Sequence, residues 1–466
     1  MQRLLGLRTT RESPNTLSWI MSRLPLLVIA AGLVLTTRTA NATPAFARKY
    51  RTSCVTCHTV YPKLNPFGEA FRRNGFRFPG VDSDVIKEEP VSLGRDAYKK
   101  MFPNAVWPGT LAGSVPLALG FNGAVVVHPT SSSAGAEEDN GAVLVLNDLV
   151  EEAHLWAGGT IGNGISYFAE LTGNGEEPIE IEHATMQFND LVGPVHAANL
   201  LIGKGMAQLT SFGAHSTYLS DMAMPMTNEF ALAGLDGDGW MLTENYKMAE
   251  INGTLQGRFS YSVGLNAGEN DITRSPRNFY GHVGYKFGGV RLDGEKGSAV
   301  PNPMKPWAES AVTVDAFAYR SSTVFSGVRD KALVLGGQLR AQLDSLELDA
   351  GAIYEMHDNG GDAGAKANVL RQYDELSYVV YPWLVPALRF DLAQYAPDTG
   401  ATATNMKISA GAAAIIRANI KMVLSLNLEH SSADLPPGGW EGIDALSAGE
   451  VNLDVESLTL GIAYAY

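Results

Sequence analysis

Apolar and polar residues alternate with a period of two over much of the chain beyond residue 111. The alternation is clearest over residues 165–171, 258–266, 333–344, 346–355 and 420–429. Clusters of Gly, Asn, Asp and Ser separate these segments. Because successive side chains of a strand point to opposite faces, this pattern predicts a series of β-strands joined by turns.

The polar residues of the alternating pattern distinguish a membrane barrel from a soluble β-sandwich. A soluble sandwich also alternates, but here the polar phase carries charges such as Arg340 and Asp344, as expected where strands line a water-filled lumen. The apolar phase persists for about ten residues, the length of a tilted transmembrane strand. The alternation of residues 458–466 ends on an aromatic residue, which resembles the assembly signal of bacterial outer-membrane proteins. We therefore predict a mainly β fold, with an outer-membrane antiparallel β-barrel of about 16 strands over residues 111–466.

The start of the chain has the features of an export signal. Arg23 precedes an apolar run over residues 24–35, and Ala40-Asn41-Ala42 offers small residues for cleavage. The run is shorter than the roughly 20 residues that a membrane-spanning helix needs. The sequence therefore predicts a Sec signal peptide over residues 1–42 and a mature chain that starts near Thr43. Together with the predicted barrel, this export signal indicates a location in the outer membrane of a Gram-negative cell.

The chain has two cysteines, and both lie in the stretch Cys54-Val55-Thr56-Cys57-His58. This C-x-x-C-H spacing is typical of haem attachment, in which each thiol forms a thioether with a vinyl group and the histidine is the proximal iron ligand. A lone redox C-x-x-C and half of a zinc site are the alternatives, but a zinc site needs further Cys or His at regular spacing. We expect one covalent haem c, bound by Cys54 and Cys57 and ligated by His58.

The residues around this motif predict a small helical haem segment over residues 43–80. Asn65-Pro66 is a typical helix start, with asparagine at the N-cap and proline at the first helical position. Asn74-Gly75 predicts the end of this helix. Residues 81–110 are irregular and interrupted by prolines, and we expect them to form a linker or plug.

Residues around the C-x-x-C-H motif also carry a family resemblance. They are Ala45-Phe46-Ala47-Arg48-Lys49-Tyr50, Cys54 to His58, Pro62, Leu64, Phe67-Gly68, Phe71 and Gly75-Phe76. This pattern resembles the haem segment of the outer-membrane monohaem cytochrome–porin fusions, whose best-known members are iron oxidases. The resemblance covers roughly residues 45–78. It implies an electron-transfer protein with a short cytochrome in or against a barrel of about 16 strands.

The motif does not fix the sixth ligand of the iron. Histidine or methionine gives a low-spin electron-transfer haem, and Met101, in the predicted plug, is a candidate distal ligand or else an apolar packing residue. The rival candidates are His128, His154, His183, His196 and His215. Each of these histidines alone is more typical of a lumen or surface position.

Two further groups of residues have candidate metal chemistry. Residues 222–226 (Met-Ala-Met-Pro-Met) bring together thioethers suited to Cu(I), although an apolar loop is the simpler interpretation. Acidic residues in predicted loops can concentrate Fe²⁺ or other cations, or can simply carry solvated charge. They are Glu137-Glu138-Asp139, Glu176-Glu177, Glu180, Glu182, Asp236, Asp238, Asp358 and Asp362.

Charge and chemistry together define the expected function and partners. The net charge of −14 argues against a nucleic-acid partner. We expect a cytochrome–porin in contact with outer-membrane lipid that passes electrons between an extracellular donor or acceptor, with Fe²⁺ as a candidate, and a periplasmic cytochrome c or copper protein. The alternatives are a transport porin with a structural or sensory haem plug, and a soluble periplasmic haem protein with a β-domain.

Overall fold

A computed structural model describes most of the chain beyond residue 44. The described residues are 45–79, 86, 91–92, 100–104, 110–111, 113, 116–128, 143–146, 152–162, 164–173, 178–209, 218–219, 245–267, 278–294, 304–325, 328–359, 366–398, 402–435 and 449–465. The chain divides into Met1–Ala42, which lies outside these residues, and one compact unit over Thr43–Tyr466. The expected signal peptide therefore stays a prediction.

The described elements are three short helical segments and many strands. The helical segments are α1 (Ala45–Tyr50), a 3₁₀ turn (Cys54–Thr56) and α2 (Pro66–Arg73). The strands before the barrel are β1 (His58–Val60), β2 (Lys63–Leu64), β3 (Val91–Ser92) and β4 (Thr110–Leu111). The barrel strands are β5 (Leu117–His128), β6 (Val143–Val145), β7 (Glu152–Ile161), β8 (Ile165–Gly173), β9 (Glu180–Phe188), β10 (Asn199–Gly205), β11 (Tyr246–Leu255), β12 (Phe259–Ala267), β13 (Asn278–Gly288), β14 (Glu309–Phe325), β15 (Val328–Asp344), β16 (Leu346–His357), β17 (Ala367–Tyr378), β18 (Leu384–Pro397), β19 (Ala403–Arg417), β20 (Ile420–Leu435) and β21 (Gly449–Ala465). None of the described helices is long and apolar enough to cross a bilayer.

Strands β5 to β21 close into one antiparallel barrel. Closure joins the last strand to the first, with Leu458 opposite Val127 and Ala465 opposite Gly120. Strands β6 and β7 pair with successive parts of β5, so they share one position in the wall. The barrel therefore has sixteen strand positions, as the alternation predicted, although its first strand begins at Leu117 rather than at residue 111.

The two faces of the barrel wall differ in polarity. On β15, Leu335 and Leu339 are exposed on the outside, whereas Gln338 is buried on the inner face. Lumen-facing acids such as Asp315 and Asp349 are also buried. An apolar exterior and a polar interior are the pattern of an outer-membrane barrel, since lipid contacts one face only.

The two ends of the barrel differ in the length of their connections. Short connections at residues 162–164, 256–258, 345, 379–383 and 418–419 lie at one end, here called the turn end. Most connections at the opposite, loop end are longer, and they include residues 129–142, 206–245, 268–277 and 436–448. Exceptions include residues 289–308, a long connection at the turn end, and residues 326–327, a short one at the loop end. Bacterial outer-membrane barrels have short periplasmic turns and longer extracellular loops, so the turn end is the periplasmic end. Exposed Tyr381 and Trp383 stack there, as expected of an aromatic girdle.

Residues 45–79, here called the haem segment, fold as α1, the 3₁₀ turn, a hairpin of β1 and β2, and α2. The prediction for α2 is confirmed: the Asn65 side chain accepts a hydrogen bond from Gly68 N at 2.9 Å, Pro66 opens the helix, and Asn74 ends it. Gly75 follows with φ +66°, a conformation that glycine adopts without steric cost. The β1–β2 hairpin and the pairing of β3 with β4 were not predicted from the sequence.

Candidate haem-binding site

The C-x-x-C-H motif spans the 3₁₀ turn and the start of β1. Cys54 and Cys57 carry free thiols, and neither forms a disulfide. Burial raises the pKa of Cys54, and burial followed by the charge of Cys54 raises the pKa of Cys57 to about 12. Both thiols are therefore protonated at neutral pH, as expected of unreacted cysteines on an apolar wall.

The imidazole of His58 is oriented by the backbone that follows it. Its Nδ1 lies 2.9 Å from the carbonyl oxygen of Pro62, which accepts the Nδ1 proton in the tautomer that this contact favours. Burial lowers the pKa of His58, which favours the neutral ring. A neutral imidazole with Nδ1 engaged leaves Nε2 as the ligating nitrogen, which is the arrangement that orients metal-binding histidines.

Helix α2 packs directly on the motif. A Cβ at Gly68 would lie 2.0 Å from the carbonyl oxygen of Cys57, so only glycine permits this approach. Asn65 strengthens the contact, because its Nδ2 donates to the carbonyl oxygen of Thr56 at 3.0 Å. The helix start thus serves two purposes, since the same asparagine caps α2 and fixes the turn that carries the cysteines.

Aromatic rings build the wall beside the motif. Phe46 stacks on Phe76 with ring centroids 5.0 Å apart and meets Phe71 edge-on at 5.2 Å. Tyr50 lies 4.2 Å from Phe78, and Phe76 contacts Phe168 of the barrel at 5.8 Å. These rings, together with Cys54, Cys57 and His58, line a cavity of about 600 Å³. This volume lies in the range of roughly 300–1,000 Å³ that is usual for cofactor sites.

Phe67, Ala70 and Phe71 are spaced to share one face of α2, which predicts that all three pack on a haem, but only part of this face meets the cavity. Phe71 lines the cavity, whereas Ala70 lies near Gly294 of the barrel and Phe67 packs on Phe78 at 5.0 Å. Helical spacing alone does not separate these three positions, because their surroundings depend on the barrel residues that pack around the helix.

The part of the cavity towards the loop end is polar and acidic. Its lining includes Glu152, Glu170 and Glu182. His154 stacks on Trp156 with ring centroids 5.0 Å apart, and its Nδ1 lies 2.9 Å from Glu170 Oε1. Its Nε2 lies 3.3 Å from Glu152 Oε2, so carboxylates approach both ring nitrogens.

The structure brings two candidates for a sixth iron ligand to this cavity. His154 lines it, as does Met206, which directly follows β10 and which the sequence reading did not single out. Met101 is 73% exposed and is not among the described residues that line the cavity. His128, His183 and His196 are not among them either, and His215 lies outside the described residues. The ligand role of Met101 stays a prediction.

Of the other candidate metal groups, most lie outside the described residues. These are the methionines of residues 222–226 and the acidic residues 137–139, 176–177, 236, 238 and 362. Within the described ranges, no group of three or more His, Cys, Asp or Glu side chains is arranged to hold a metal ion. Glu182 is the acidic candidate that lines the cavity beside the C-x-x-C-H motif.

Hydrogen bonds and ion pairs hold the haem segment against the barrel. The contacts are Lys49 Nζ to Thr160 Oγ1 at 3.0 Å, Asn74 Nδ2 to the carbonyl oxygen of Asp293 at 2.8 Å, and Arg77 Nη1 to Asp190 Oδ2 at 2.7 Å. All three barrel partners lie at the turn end. The haem segment therefore sits within the periplasmic end of the lumen.

A buried ion pair adds to these contacts. Lys63, only 1% exposed, pairs with Glu347, and Arg340 Nε donates to the same carboxylate at 3.0 Å. Tyr218, from the long connection between β10 and β11, lies with its ring centroid 4.6 Å from Lys63 Nζ. Its backbone N–H donates to Glu375 Oε1 at 2.8 Å. Tyr218 thus meets the haem segment inside the lumen, although its connection joins two strands at the loop end.

The residues present fit a covalently bound haem. Two thiols, an oriented neutral imidazole and an aromatic cavity of suitable volume meet at one place. These are the donor types and surroundings that a c-type haem requires.

The fold defines the class of protein: a closed antiparallel barrel with an apolar exterior is an outer-membrane β-barrel of the porin type. Solved porins are similar to it. The anion-selective porin from Comamonas acidovorans has a TM-score of 0.53 at 12% identity, covering 75% of this chain and 98% of its own. The channel DcaP of Acinetobacter baumannii has a TM-score of 0.48 at 10% identity, covering 75% and 96%. At 12% identity, the likeness to the Comamonas acidovorans porin concerns the fold alone.

The sequence comparisons return no relative: no family model matches the chain, and no curated protein sequence matches it. The barrel fold and its apolar outer face nevertheless confirm the predicted fold class and the expected location in the outer membrane.

Proposed function

We propose that this chain is an outer-membrane haem protein that passes single electrons between an extracellular donor or acceptor and a periplasmic carrier. The observation that supports it most is the placing of Cys54, Cys57 and His58 on one aromatic cavity inside the barrel. When bound, a haem supplies reversible one-electron exchange at its iron. The resemblance of residues 45–78 to the monohaem cytochrome–porin fusions supports the same function.

The position of the haem segment at the turn end supports a periplasmic partner on that side and an extracellular partner on the other. The hydrocarbon core of the bilayer is about 30 Å thick. One haem cannot form a chain of closely spaced redox centres across this distance. The motif lies near the turn end, within reach of a periplasmic cytochrome c or copper protein. The extracellular partner has to be small enough to enter from the loop end.

Charge inside the lumen favours a cation as that small partner. Glu152, Glu170 and Glu182 line the part of the cavity that faces the loop end, and the whole chain has a net charge of −14. Carboxylates on a low-dielectric wall concentrate cations and repel anions. Fe²⁺ is the candidate that combines this charge with one-electron chemistry.

Stopped-flow haem reduction in proteoliposomes tests this proposal. We expect Fe²⁺ to reduce the haem faster than an anionic iron chelate at low salt, with a neutral dye between them. The preference should shrink as salt rises, because exposed charges are screened beyond about 10 Å at 0.1 M ionic strength. A variant with Glu182→Gln should lose part of the preference. Equal rates at low salt would contradict the cation preference, and a haem that exchanges no electrons with any donor would contradict the conduit.

A transport porin with a haem plug is the second candidate function, and the observation that favours it is the porin-type barrel itself. The haem segment and Tyr218 occupy the lumen at the turn end, which argues for restricted passage of solutes. Conductance of the intact protein in planar bilayers separates the two functions. Porin-like conductance without electron exchange would favour transport, whereas electron exchange with little conductance would favour the conduit.

A further inference from the structure

We propose that Arg72 binds a propionate carboxylate of the haem, an inference that rests on the proposed function. Helix α2 places Arg72 one turn beyond Gly68, the residue whose backbone touches Cys57. Gly68, Phe71 and Arg72 all line the haem cavity, since residues three and four apart share one face of a helix. The same packing that presents the cysteines therefore presents this guanidinium.

Arg72 has donor capacity that its protein contacts leave unused. Its Nε is buried and has no hydrogen-bond partner among the described residues. Among the described residues, the carboxylate nearest to Arg72 is that of Glu69, whose Oε2 lies 3.7 Å from Nη2, which is longer than a hydrogen bond. Buried guanidinium N–H groups are normally paired, and the unpaired Nε leaves Arg72 able to bind an acceptor in the cavity that it lines. The Nε of Arg73 is also unpaired, but Arg73 lines a separate cleft.

The charges around the cavity single out this residue. Arg72 is the one lysine or arginine among the described residues that line the cavity, whereas Glu152, Glu170 and Glu182 line its wall towards the loop end. His154 also lines that wall, but its two ring nitrogens lie next to Glu152 and Glu170. A haem carries two propionate carboxylates at one edge. Repulsion from the glutamates and attraction to Arg72 both direct that edge to α2, and a guanidinium can bind a carboxylate through two parallel hydrogen bonds.

Redox titration of the whole haem-loaded protein over a pH series tests this role. Arg72→Gln should lower the midpoint potential, because loss of a nearby positive charge favours the oxidised haem. A tenfold fall in the reduction equilibrium corresponds to about 59 mV for one electron. The potential of this variant should also become pH-dependent near neutrality, since a buried carboxylate without a cationic partner binds a proton more readily.

Arg73→Gln is the matched control. Arg73 has the same charge on the same helix but lines a separate small cleft with Glu309 and Lys286. It should leave both the potential and its pH profile close to those of the parent. Arg72→Lys should keep part of the potential, because the charge remains but the paired hydrogen bonds do not.

Haem staining and heat-modifiable migration first establish that each variant carries haem and is folded. If Arg72→Gln does not assemble, Arg72→Lys takes its place, with a smaller shift expected in the same direction. An unshifted potential and pH profile in the Arg72 variant, or an equal shift in Arg73→Gln, would overturn the proposal. A parent chain without covalent haem would instead overturn the proposed function, so the two failures are distinguishable.

Discussion

At the scale of single residues, the site combines a local motif with partners that are distant in sequence. The spacing of Cys54, Cys57 and His58 can be recognised from five consecutive residues of the sequence. Arg72 and Met206 carry no such signal, because their relevance arises only when α2 and the end of β10 line one cavity. Nothing in the sequence pairs Lys63 with Glu347, which lie far apart along the chain and meet in the lumen.

Replacing both cysteines should remove the haem from the polypeptide. In Cys54→Ala/Cys57→Ala, no thioether can form, so haem staining under denaturing conditions should disappear. Ser53→Ala is the control, since Ser53 lines the same cavity without a thiol and should keep the stain. His58→Ala should retain covalent haem but shift the Soret band, because the proximal ligand is lost. Persistent staining of the double variant would contradict covalent attachment.

Breaking the buried pair between Lys63 and Glu347 should loosen the haem segment. Lys63→Met leaves the Glu347 carboxylate buried with only Arg340 beside it, and removing one partner of a buried pair costs about 3–5 kcal/mol. We expect faster proteolysis of the haem segment in the folded barrel. Lys305→Met is the control, because the pair of Lys305 with Asp344 is exposed and its loss should leave the proteolysis rate unchanged. Equal rates in both variants would show that Lys63 does not anchor the segment.

At the scale of elements, alternation and capping signals predicted much of the fold. The strand pattern of residues 420–429 and 346–355 became β20 and β16, and Asn65-Pro66 marked the start of α2. The shared position of β6 and β7 on β5 was not predictable, because pairing register depends on a partner strand rather than on local alternation. The β1–β2 hairpin is too short to have a periodic pattern.

The seating of α2 on the motif should fail with one added methyl group. In Gly68→Ala the new Cβ would meet the carbonyl oxygen of Cys57, and such overpacking costs about 1–3 kcal/mol. We expect a lower ratio of haem to protein, measured by pyridine haemochrome absorbance against protein mass. Gly164→Ala is the control, because no atom lies within 4 Å of a Cβ built there. A full haem content in Gly68→Ala would mean that α2 can move away without consequence for the site.

At the scale of the whole molecule, the barrel depends on the pairing of its last strand with its first. Strand β21 bonds to β20 on one side and to β5 on the other. The alternation of residues 458–466 predicted a terminal strand, but its partners follow only from closure, which no local pattern encodes.

Deleting residues 459–466 should prevent assembly in the membrane. The deletion removes most of the pairing between β21 and β5 and leaves unpaired backbone groups in lipid, each costing several kcal/mol. We expect loss of heat-modifiable migration on gels and loss of outer-membrane fractionation. Deletion of residues 439–446, in the connection between β20 and β21, removes the same number of residues without removing a strand and should preserve both properties. Normal insertion of the terminal deletion would contradict the role of closure.

The enclosure of the haem segment by the barrel has a consequence for the order of biogenesis. Lys49, Asn74 and Arg77 are bonded to the wall on several sides, so Cys54 and Cys57 face the inside of a closed sheet. An attachment enzyme, itself a folded protein, would have to reach these half-buried thiols through the end of the lumen once β21 has paired with β5. We therefore expect haem attachment to precede closure of the barrel, while the periplasmic chain is still unfolded. Pulse-labelled chains should then acquire haem before they become resistant to external protease, and a barrel that closes first should remain permanently without it.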